Sequence, residues 1–445
     1  MLWWTAIALA MTPAEQNADV EMVRDLVRQH PECDDPAIAQ RMEEALAAIV
    51  TDDDQSPHQF HGRLLGALAL LQDGHTDAVM DGPQVDAFFG EERFLPYDVV
   101  VFEDDLFLDP RFHEPARVVS IDGRTGRQIV AELRRHVTGD SSMPATRDGN
   151  IDRYFARNYA HVWGLADGYD VVLAPGPAEA VRVPGVSYAD VPYVGDPGPN
   201  AVHLDDGLLS ITLNEPMPGN GWRGFWRSLK AGLKTADAVV LDLRDCGGGF
   251  GPTEAEIVEL FADAPVSYRV HRRIGTTFAT GQPEASPYRI IYGPDESGVW
   301  ATQPRMVEGI ETVQIEPWRH AWTDRLVVVT GPETFSACSN VAAALTAHGG
   351  DVVVVGAETR GGARRLTAGQ FEQRVLPNSG VLMQIPIVQF TAPAAFGEIG
   401  RGVVPDRPVS DRPDTKEDEV AACARRLAVG EECDVSPRPA WLSEE

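Results

Sequence analysis

The chain has 445 residues, of which 43% are hydrophobic and 24% are charged, a composition typical of a globular protein with two or three domains. Acidic residues outnumber basic residues by 67 to 38, which gives a formal net charge of −29. This charge argues against nucleic acid or an anionic membrane as the partner of the chain.

The N-terminal segment MLWWTAIALA is apolar and is followed by small residues. It is too short to span a bilayer, and its pattern favours a signal segment over residues 1–15, although a positively charged start is missing. We therefore expect a periplasmic or secreted protein, with a buried first helix of a cytoplasmic protein as the alternative. No other apolar run is long enough to span a membrane.

Helical periodicity dominates residues 16–80, where apolar residues recur at three- and four-residue spacing. From about 90 to 195 the pattern changes to short strands and turns, with one helix after an Asp-Gly turn. Alternating strands and helices between 200 and 410 predict an α/β sheet. Residues 411–445 form an acidic, proline-containing tail around one short helix.

The most informative segment is LVVVTGPETFSACSNVAAAL, residues 326–345. It predicts a buried strand, a Gly-Pro turn, and a helix of small residues that begins at Ala337. Ser336 is therefore expected at a strand-to-helix turn, where helix N–H groups can stabilise an oxyanion. Ser336 is either a nucleophile in this position or a simple N-cap of the helix.

A glycine-rich segment, DLRDCGGGFG at residues 242–251, follows a predicted strand. Gly247 and Gly248 allow backbone N–H groups to converge and a substrate to approach, so they are candidates for half an oxyanion hole. The segment lacks both the Walker ending and the GxGxxG spacing, which argues against phosphate binding. A plain tight turn is the alternative.

His75, in LLQDGHTDAV, is a candidate base for a hydroxyl nucleophile, although a lone histidine is more often structural. The chain has no HExxH motif, no paired CxxC motif and no histidines at ligand spacing. The sequence therefore predicts no metal site.

Six motifs occur in one order along the chain: DGHT, DLRDCGGG, TFSACSNVAAAL, VVVGAETRGGA, LPNSGVLMQIPI and GRGVVPD. In this order they resemble the tail-specific (C-terminal processing) serine protease family, and its tricorn-core and retinoid-binding-protein-like branch most closely. The resemblance covers about residues 64–409. It implies a crotonase-like ββα core, a degenerate PDZ-like α+β module at 90–195, cleavage of protein or peptide substrates, and no cofactor.

The resemblance also implies roles for single residues. Ser336 corresponds to the family's nucleophile, and Gly247, Gly248 and Ala337 correspond to its oxyanion hole. The PDZ-like module is expected to bind peptide by strand addition.

Many members of the family use a lysine as the base, in a Gly-Lys-Gly element. The corresponding residues 359–363 read TRGGA, and the guanidinium of Arg360 does not deprotonate near neutral pH. The three lysines lie elsewhere in the sequence: Lys230, Lys234 and Lys416. The resemblance to the tricorn branch instead implies His75 as the base and Glu398 as the residue that orients it. Glu398 is displaced by one residue from the family pattern, so a solvated loop glutamate is the alternative.

Cys246 and Cys338 stand where the family usually has asparagine and a small or polar residue. If the fold is that of the family, they are either two packed thiols or a disulfide between the glycine segment and the serine turn. Cys423 and Cys433 are spaced to pair across a short loop.

The predicted function is that of a serine endopeptidase with an acyl-enzyme on Ser336 and His75 as the base. An inactive peptide- or ligand-binding protein on the same fold is the main alternative. An enzyme that hydrates acyl-CoA would share the core but leaves the Thr-Phe-Ser turn and GRGVVPD unexplained.

Overall fold

The computed structural model describes residues 10–80, 93–140, 145–191, 198–216, 221–249, 251, 253–274, 307–369 and 371–433. The chain forms two compact units. The first comprises Met1–Gly195, Arg269–Thr312 and Arg364–Pro393. The second comprises Asp196–Tyr268, Val313–Ala363 and Ala394–Glu445. Two stretches of the predicted core at 200–410 thus belong to the first unit.

The helices and strands alternate along most of the described chain. The α-helices are α1 (Pro13–Val27), α2 (Pro36–Ala47), α3 (Pro57–Leu68), α4 (Gly126–His136), α5 (Ala145–Trp163), α6 (Trp222–Gly232), α7 (Thr253–Val258), α8 (Ala337–His348) and α9 (Glu419–Ala428). The strands are β1 (Asp77–Met80), β2 (Val99–Phe102), β3 (Asp105–Leu108), β4 (Arg117–Ile121), β5 (Arg124–Thr125), β6 (Gly168–Ala174), β7 (Val181–Pro184), β8 (Ala201–Asp205), β9 (Leu208–Thr212), β10 (Ala238–Asp242), β11 (Val266–Ile274), β12 (Val307–Ile315), β13 (Leu326–Thr330), β14 (Val352–Gly356), β15 (Arg365–Thr367), β16 (Phe371–Val375), β17 (Val381–Pro386), β18 (Val388–Thr391) and β19 (Arg407–Pro408).

The first three helices occupy the region that the sequence predicts as helical. Each begins at a proline that follows a capping side chain, so both the fixed φ of proline and the cap favour a helix start there. The capping side chains are those of Thr12, Asp35 and Ser56. Helices α1 to α3 share a buried core with β17, so this part of the chain packs on the sheet β1-β17-β16.

Residues 1–9 of the predicted signal segment lie outside the described residues. Met11, which lies inside the predicted signal segment, forms a β-bridge with Gln55 and is buried within the first unit. Within the described residues, no helix combines the length and the apolar character needed to cross a bilayer.

A second sheet of the first unit has the order β2-β3-β4-β6-β7, and its described pairings are antiparallel. Helices α4 and α5 pack on it around a core that includes Leu106, Ile129, Phe155 and Tyr169. The turn between β4 and α4 was predicted from the Asp-Gly pair, but the 19 residues of α5 were not. The prediction of short strands and turns is wrong over α5, where Ile151, Phe155 and Tyr159 recur at four-residue spacing and are buried in one core, a helical pattern that the prediction did not use.

The second unit is built on a sheet with the order β19-β14-β13-β10-β9-β8. The pairings from β9 to β19 are parallel, and β8 is antiparallel at one edge. All five residues of β13 are buried, as expected for a central strand with both faces covered. The prediction of an α/β fold is therefore confirmed.

Helix α9 comes from the acidic tail and packs against β10, β13 and β14 through Val420, Ala424 and Leu427. The tail thus supplies part of the cover of the sheet, although its sequence reads as polar overall.

Two neighbouring parallel strands lead into the segments that carry the sequence motifs. Strand β10 leads into the glycine loop, residues 245–249, and β13 leads into the serine turn, residues 331–336. Because β10 and β13 pair in parallel, their carboxyl ends meet at the same edge of the sheet. This edge is where α/β sheets usually place their ligands.

Candidate active site

Ser336 closes the serine turn directly before helix α8. Its backbone has φ 51° and ψ −125°, a conformation that residues other than glycine rarely adopt. Its side chain makes no capping hydrogen bond. Interpretation as a simple N-cap is therefore wrong, since a capping serine has extended backbone angles and accepts an N–H bond from the first turn. A strained strand-to-helix turn is instead the arrangement that exposes a nucleophilic serine.

The serine turn is fastened to the glycine loop and to the end of β10. Thr334 Oγ1 donates to the carbonyl oxygen of Leu243 over 2.7 Å. Phe335 N–H donates to the carbonyl oxygen of Cys246 over 2.9 Å. A disulfide joins Cys246 to Cys338, whose Cα atoms lie 6.0 Å apart. Polar and covalent links together hold the two loops against each other.

Gly248 approaches Ser336 so closely that no side chain fits between them. A Cβ atom at Gly248 would lie 2.6 Å from Ser336 Cβ and 3.2 Å from Ser336 Oγ. Gly248 also has φ +101°, which disfavours any residue with a side chain. The glycine is therefore required for both space and backbone conformation, and its peptide lies beside the serine hydroxyl.

Gly361 lies against the other side of the serine turn. A Cβ atom there would lie 2.9 Å from Ser336 N and 2.4 Å from Ser339 Oγ. Beside it, the Arg360 guanidinium carbon stacks 4.2 Å from the centre of the Phe335 ring. Arg360 and Gly361 thus pack onto the serine turn at the positions that correspond to the family's lysine element. Arg360 stays protonated, so it cannot accept a proton from Ser336.

Ala337 is the first residue of α8 and is buried. Its N–H is among those that a helix leaves without an acceptor inside the helix, so it is available to an oxyanion near Ser336. Gly247 is exposed in the glycine loop, next to the half-buried Gly248.

His75 belongs to the first unit, in the loop before β1. The buried carboxylate of Asp73 organises this loop. Asp73 Oδ1 accepts the backbone N–H of His75 over 3.0 Å, and Asp73 Oδ2 lies 2.9 Å from His30 Nε2. The hydroxyls of Thr76 and Thr367 also donate to this carboxylate. The loop of His75 is thereby tied to two other segments of the first unit, those of His30 and Thr367.

Asp73 is charged in spite of its burial. Burial raises the pKa of Asp73, but the hydrogen bond and charge of His30, and the charge of His75, bring it well below the usual range. His75 Nδ1 lies 3.9 Å from Asp73 Oδ1, with the His75 side chain only 11% exposed. An anion at this distance stabilises the positive charge that a histidine base acquires during catalysis.

Asp73, His75 and Asp140 bring potential metal-ligand atoms within 4.8 Å of one another. Asp73 already accepts four hydrogen bonds, and Asp140 Oδ1 accepts the N–H of Gly74 over 2.7 Å. A metal would have to displace these donors, so the cluster is better described as a hydrogen-bonded support of the His75 loop.

Glu398 lies exposed in a loop of the second unit, after the short helix Ala394–Phe396. The carboxylate anchored in this part of the unit is that of Glu358, which accepts both Nε and Nη2 of Arg401 over 2.8 Å. Glu358 also accepts the N–H of Gly402 over 2.9 Å. Hydrogen bonds to Glu358, which follows β14, thus hold the GRGVVPD segment in place. The Glu398 side chain is exposed.

Of the residues predicted from the sequence, the structure brings Ser336, Gly248 and Ala337 together in the second unit. Sequence reasoning missed the part played by Asp73. The only signal was the DGH tripeptide, in which an aspartate two residues before a histidine can accept its backbone N–H as in an Asx-turn.

The cysteines form two disulfides among the described residues. Of the two alternatives for Cys246 and Cys338, the structure has the bonded one, so Cys338 is not available as a nucleophile. Cys423 and Cys433 also pair, as their spacing predicted.

Residues 207–409 match the model of peptidase family S41. No curated protein sequence matches the chain.

Solved structures of other proteins are similar to the chain. Mature CPAF is 13% identical, with a TM-score of 0.61 over 94% of this chain and 96% of that chain. A point mutant of CPAF is also 13% identical, with a TM-score of 0.62 over 95% of this chain and 99% of that chain. The photosystem II D1 C-terminal processing protease is 15% identical over 93% and 97% of the two chains, with a TM-score of 0.44. At these identities the likeness to CPAF shows the fold alone.

Proposed function

We propose, from the match of residues 207–409 to peptidase family S41, that the chain is a serine endopeptidase that cleaves peptide bonds through an acyl-enzyme on Ser336. The observation that carries the proposal is the strained backbone of Ser336 at the end of a buried strand, with Gly248 against its hydroxyl. A serine that served only the fold would not need both features.

In this mechanism His75 accepts the proton of Ser336 Oγ while the oxygen attacks the carbonyl carbon of the substrate. The N–H groups of Gly247 or Gly248 and of Ala337 stabilise the oxyanion of the tetrahedral intermediate. The protonated His75 then donates its proton to the leaving amine. Water, activated by the same histidine, hydrolyses the acyl-enzyme and regenerates Ser336. Glu398 is the proposed orienting residue for His75.

Lys230 in α6 and Lys234 in the turn after it support a histidine base rather than a lysine base. Lys230 Nζ pairs with Glu259 over 3.0 Å, and Lys234 Nζ lies 5.7 Å from the centre of the Trp318 ring. Both ammonium groups are engaged away from the serine turn. Arg360 replaces the family's lysine by a group that stays protonated.

The proposal includes the architecture that the family resemblance implies. The core at 200–410 is crotonase-like, which the parallel sheet with α8 after the serine turn supports. Residues 90–195 are a PDZ-like module. Its sheet ends in β2 and β7, which are edge strands of the kind that bind an extended peptide by strand addition.

The two disulfides support a periplasmic or secreted location, because disulfides persist mainly in oxidising compartments. No cofactor takes part in the proposed chemistry.

Hydrolysis of an unfolded protein substrate, followed by mass spectrometry of the products, tests the function. We expect the unaltered protein to cleave internal peptide bonds and Ser336→Ala to lose at least ~10⁴-fold in kcat. Ser228→Ala, at an exposed serine of α6, is the matched control and should retain full activity. Substrate binding without turnover by the unaltered protein would instead favour an inactive binding protein.

A further inference from the structure

Helix α6 and the turn after it carry a run of positive charge that contrasts with the rest of the chain. Residues 217–236 contain four basic residues and no acidic residue, whereas the whole chain has 38 basic and 67 acidic residues. The four are Arg223, Arg227, Lys230 and Lys234. This segment is therefore positively charged, although the chain as a whole is strongly negative.

The cations of α6 are aligned along one side of the helix. At about 100° per residue, Arg223, Arg227 and Lys230 fall within about 60° of the helix circumference. Lys234 follows four residues after Lys230 and is exposed in the turn beyond the helix. The opposite side buries Phe225 and Leu229 in the second unit. We call the four cations the basic stripe.

Aromatic rings border the basic stripe. Lys230 Nζ lies 5.4 Å from the centre of the Trp226 ring and 5.3 Å from that of Trp318. Lys234 Nζ lies 5.7 Å from the Trp318 ring. Trp222 stands one turn before Trp226 and is half-buried like it. These rings hold the ammonium groups in place and offer apolar contacts beside them.

Acidic neighbours neutralise only one part of the basic stripe. Glu259 pairs with Lys230, and Glu256 lies close to the same lysine. Among the described residues, no salt bridge involves Arg223, Arg227 or Lys234, and all three are exposed. Within the described part of the chain, three cations therefore face solvent without an acidic partner.

We propose that the basic stripe binds an extended, acidic segment of the polypeptide substrate, an inference that rests on the proposed function. Residues four apart on a helix are separated by about 6 Å along its axis. Alternate side chains of an extended strand are separated by about 6.6 Å. Carboxylates at every second position of an extended peptide therefore match the spacing of the cations, and arginine binds carboxylate through two hydrogen bonds.

An extended peptide fits the stripe better than an anionic bilayer does. A bilayer is a plane, so it would bring much of the surface of a protein with net charge −29 close to its own negative charge. An extended peptide contacts only one side of α6. Its electrostatic repulsion from acidic residues more than about 8 Å away is screened at physiological salt.

The stripe is close in the chain to the candidate active site. The segment that leads into α6 packs on the glycine loop: Pro216 O would lie 2.9 Å from a Cβ at Gly249 and accepts Thr253 Oγ1 over 3.1 Å. Trp222, at the start of α6, follows six residues later, which is a span of at most about 22 Å. A substrate of six or seven extended residues beyond the cleaved bond covers this distance.

Binding is tested in the Ser336→Ala background, where the substrate is not consumed. The probe is a fluorescein-labelled peptide of ten residues in which glutamate alternates with serine, and the matched peptide has glutamine in place of glutamate. Fluorescence anisotropy should show tighter binding of the glutamate peptide, with an affinity that falls as salt is raised. The triple change Arg223→Gln, Arg227→Gln, Lys234→Gln should weaken this binding about tenfold.

The control triple Arg28→Gln, Arg41→Gln, Arg63→Gln removes three exposed charges from the helical region of the first unit, outside the proposed PDZ-like module, and should leave binding unchanged. Equal affinity of the α6 triple and its parent would overturn the proposal. So would stronger α6-dependent binding to phosphatidylglycerol vesicles or to a single-stranded oligonucleotide than to the glutamate peptide. Failure of the unaltered protein to cleave any substrate would reject the proposed function. The binding comparison would still decide whether the basic stripe binds an acidic peptide.

Discussion

At the residue scale, the account depends on the conformation of Ser336 and on the absence of a side chain at Gly248. The sequence predicted the strand, the turn and the helix around Ser336, because the apolar run, the Gly-Pro pair and the small residues are local signals. These local signals fit both a cap and a nucleophile, and the resemblance to the protease family favoured the nucleophile. The structure argues against the cap through a positive φ at Ser336, and it adds a contact between loops 88 residues apart; neither feature leaves a local signal.

Gly248→Ala should abolish most of the activity. The added Cβ would lie 2.6 Å from Ser336 Cβ, and the position has φ +101°, so the loop must move away from the serine. We expect a loss of about 1–3 kcal/mol in the free energy of unfolding and a fall in kcat/KM of at least ~100-fold. Urea unfolding and peptide hydrolysis measure the two effects.

Gly123→Ala separates backbone strain from the contact with Ser336. Gly123 has φ +76°, and a Cβ there would meet nothing within 4 Å. This control should lose stability to a similar extent and keep its activity. Equal activity of Gly248→Ala and Gly123→Ala would mean that the Gly248 contact has no catalytic role.

His61 makes the first unit sensitive to acid. Burial is the largest cause that lowers the pKa of His61 to about 4, and its Nε2 donates to the carbonyl oxygen of Ala78 over 2.6 Å. The unfolded chain binds a proton at this residue near pH 6.5, whereas the folded chain does so only near pH 4. Stability should therefore fall by about 3 kcal/mol as the pH drops from 6.5 to 4.

His61→Gln keeps a side-chain N–H donor but does not titrate, so its stability should depend less on pH in this range. Urea unfolding from pH 7 to pH 4 compares it with the parent. His203→Gln, at an exposed histidine, should leave the pH dependence unchanged. Identical curves for all three proteins would show that His61 does not contribute.

At the element scale, the two loops that follow β10 and β13 form the candidate site, and the Cys246–Cys338 disulfide holds them together. Strands, helices and their order were predicted well where one apolar pattern runs through an element, as in β13 and α6. Helix α5 was missed although Ile151, Phe155 and Tyr159 recur at helical spacing. The pairing of Cys246 with Cys338 was left open, because a bond across 92 residues depends on tertiary structure.

Replacement of Cys246 and Cys338 by serine should destabilise the protein more than replacement of Cys423 and Cys433. The first pair closes a loop of 92 residues and the second a loop of 10. If chain entropy dominates, the difference in the free energy of unfolding is about 2 kcal/mol. Denaturant unfolding of the two double variants measures this difference.

The same two variants should differ in activity, because only the first bond holds the serine turn to the glycine loop. We expect a lower kcat for the Cys246/Cys338 variant and an unchanged kcat for the Cys423/Cys433 variant. Full activity of the first variant would show that the hydrogen bonds from Thr334 and Phe335 are sufficient to hold the site.

At the scale of the whole molecule, the residues proposed for the reaction are divided between the two compact units. Ser336, Gly248 and Ala337 belong to the second unit, and His75 with its Asp73 support belongs to the first. The ordered motifs led to Ser336, Gly248, Ala337 and His75, because they follow the family pattern along most of the chain, but they did not point to Asp73. They could not predict that residues 364–393 belong with the first unit, where Thr367 donates to Asp73, since such a division follows from long-range packing.

Labelling with a fluorophosphonate, with the adduct located by tryptic mass spectrometry, tests most directly whether Ser336 is a nucleophile activated by His75. The account predicts a single adduct on Ser336 in the unaltered protein, none in Ser336→Ala, and a rate of labelling reduced at least ~10³-fold in His75→Ala. An adduct of equal yield in Ser336→Ala, or an unchanged rate in His75→Ala, would contradict it.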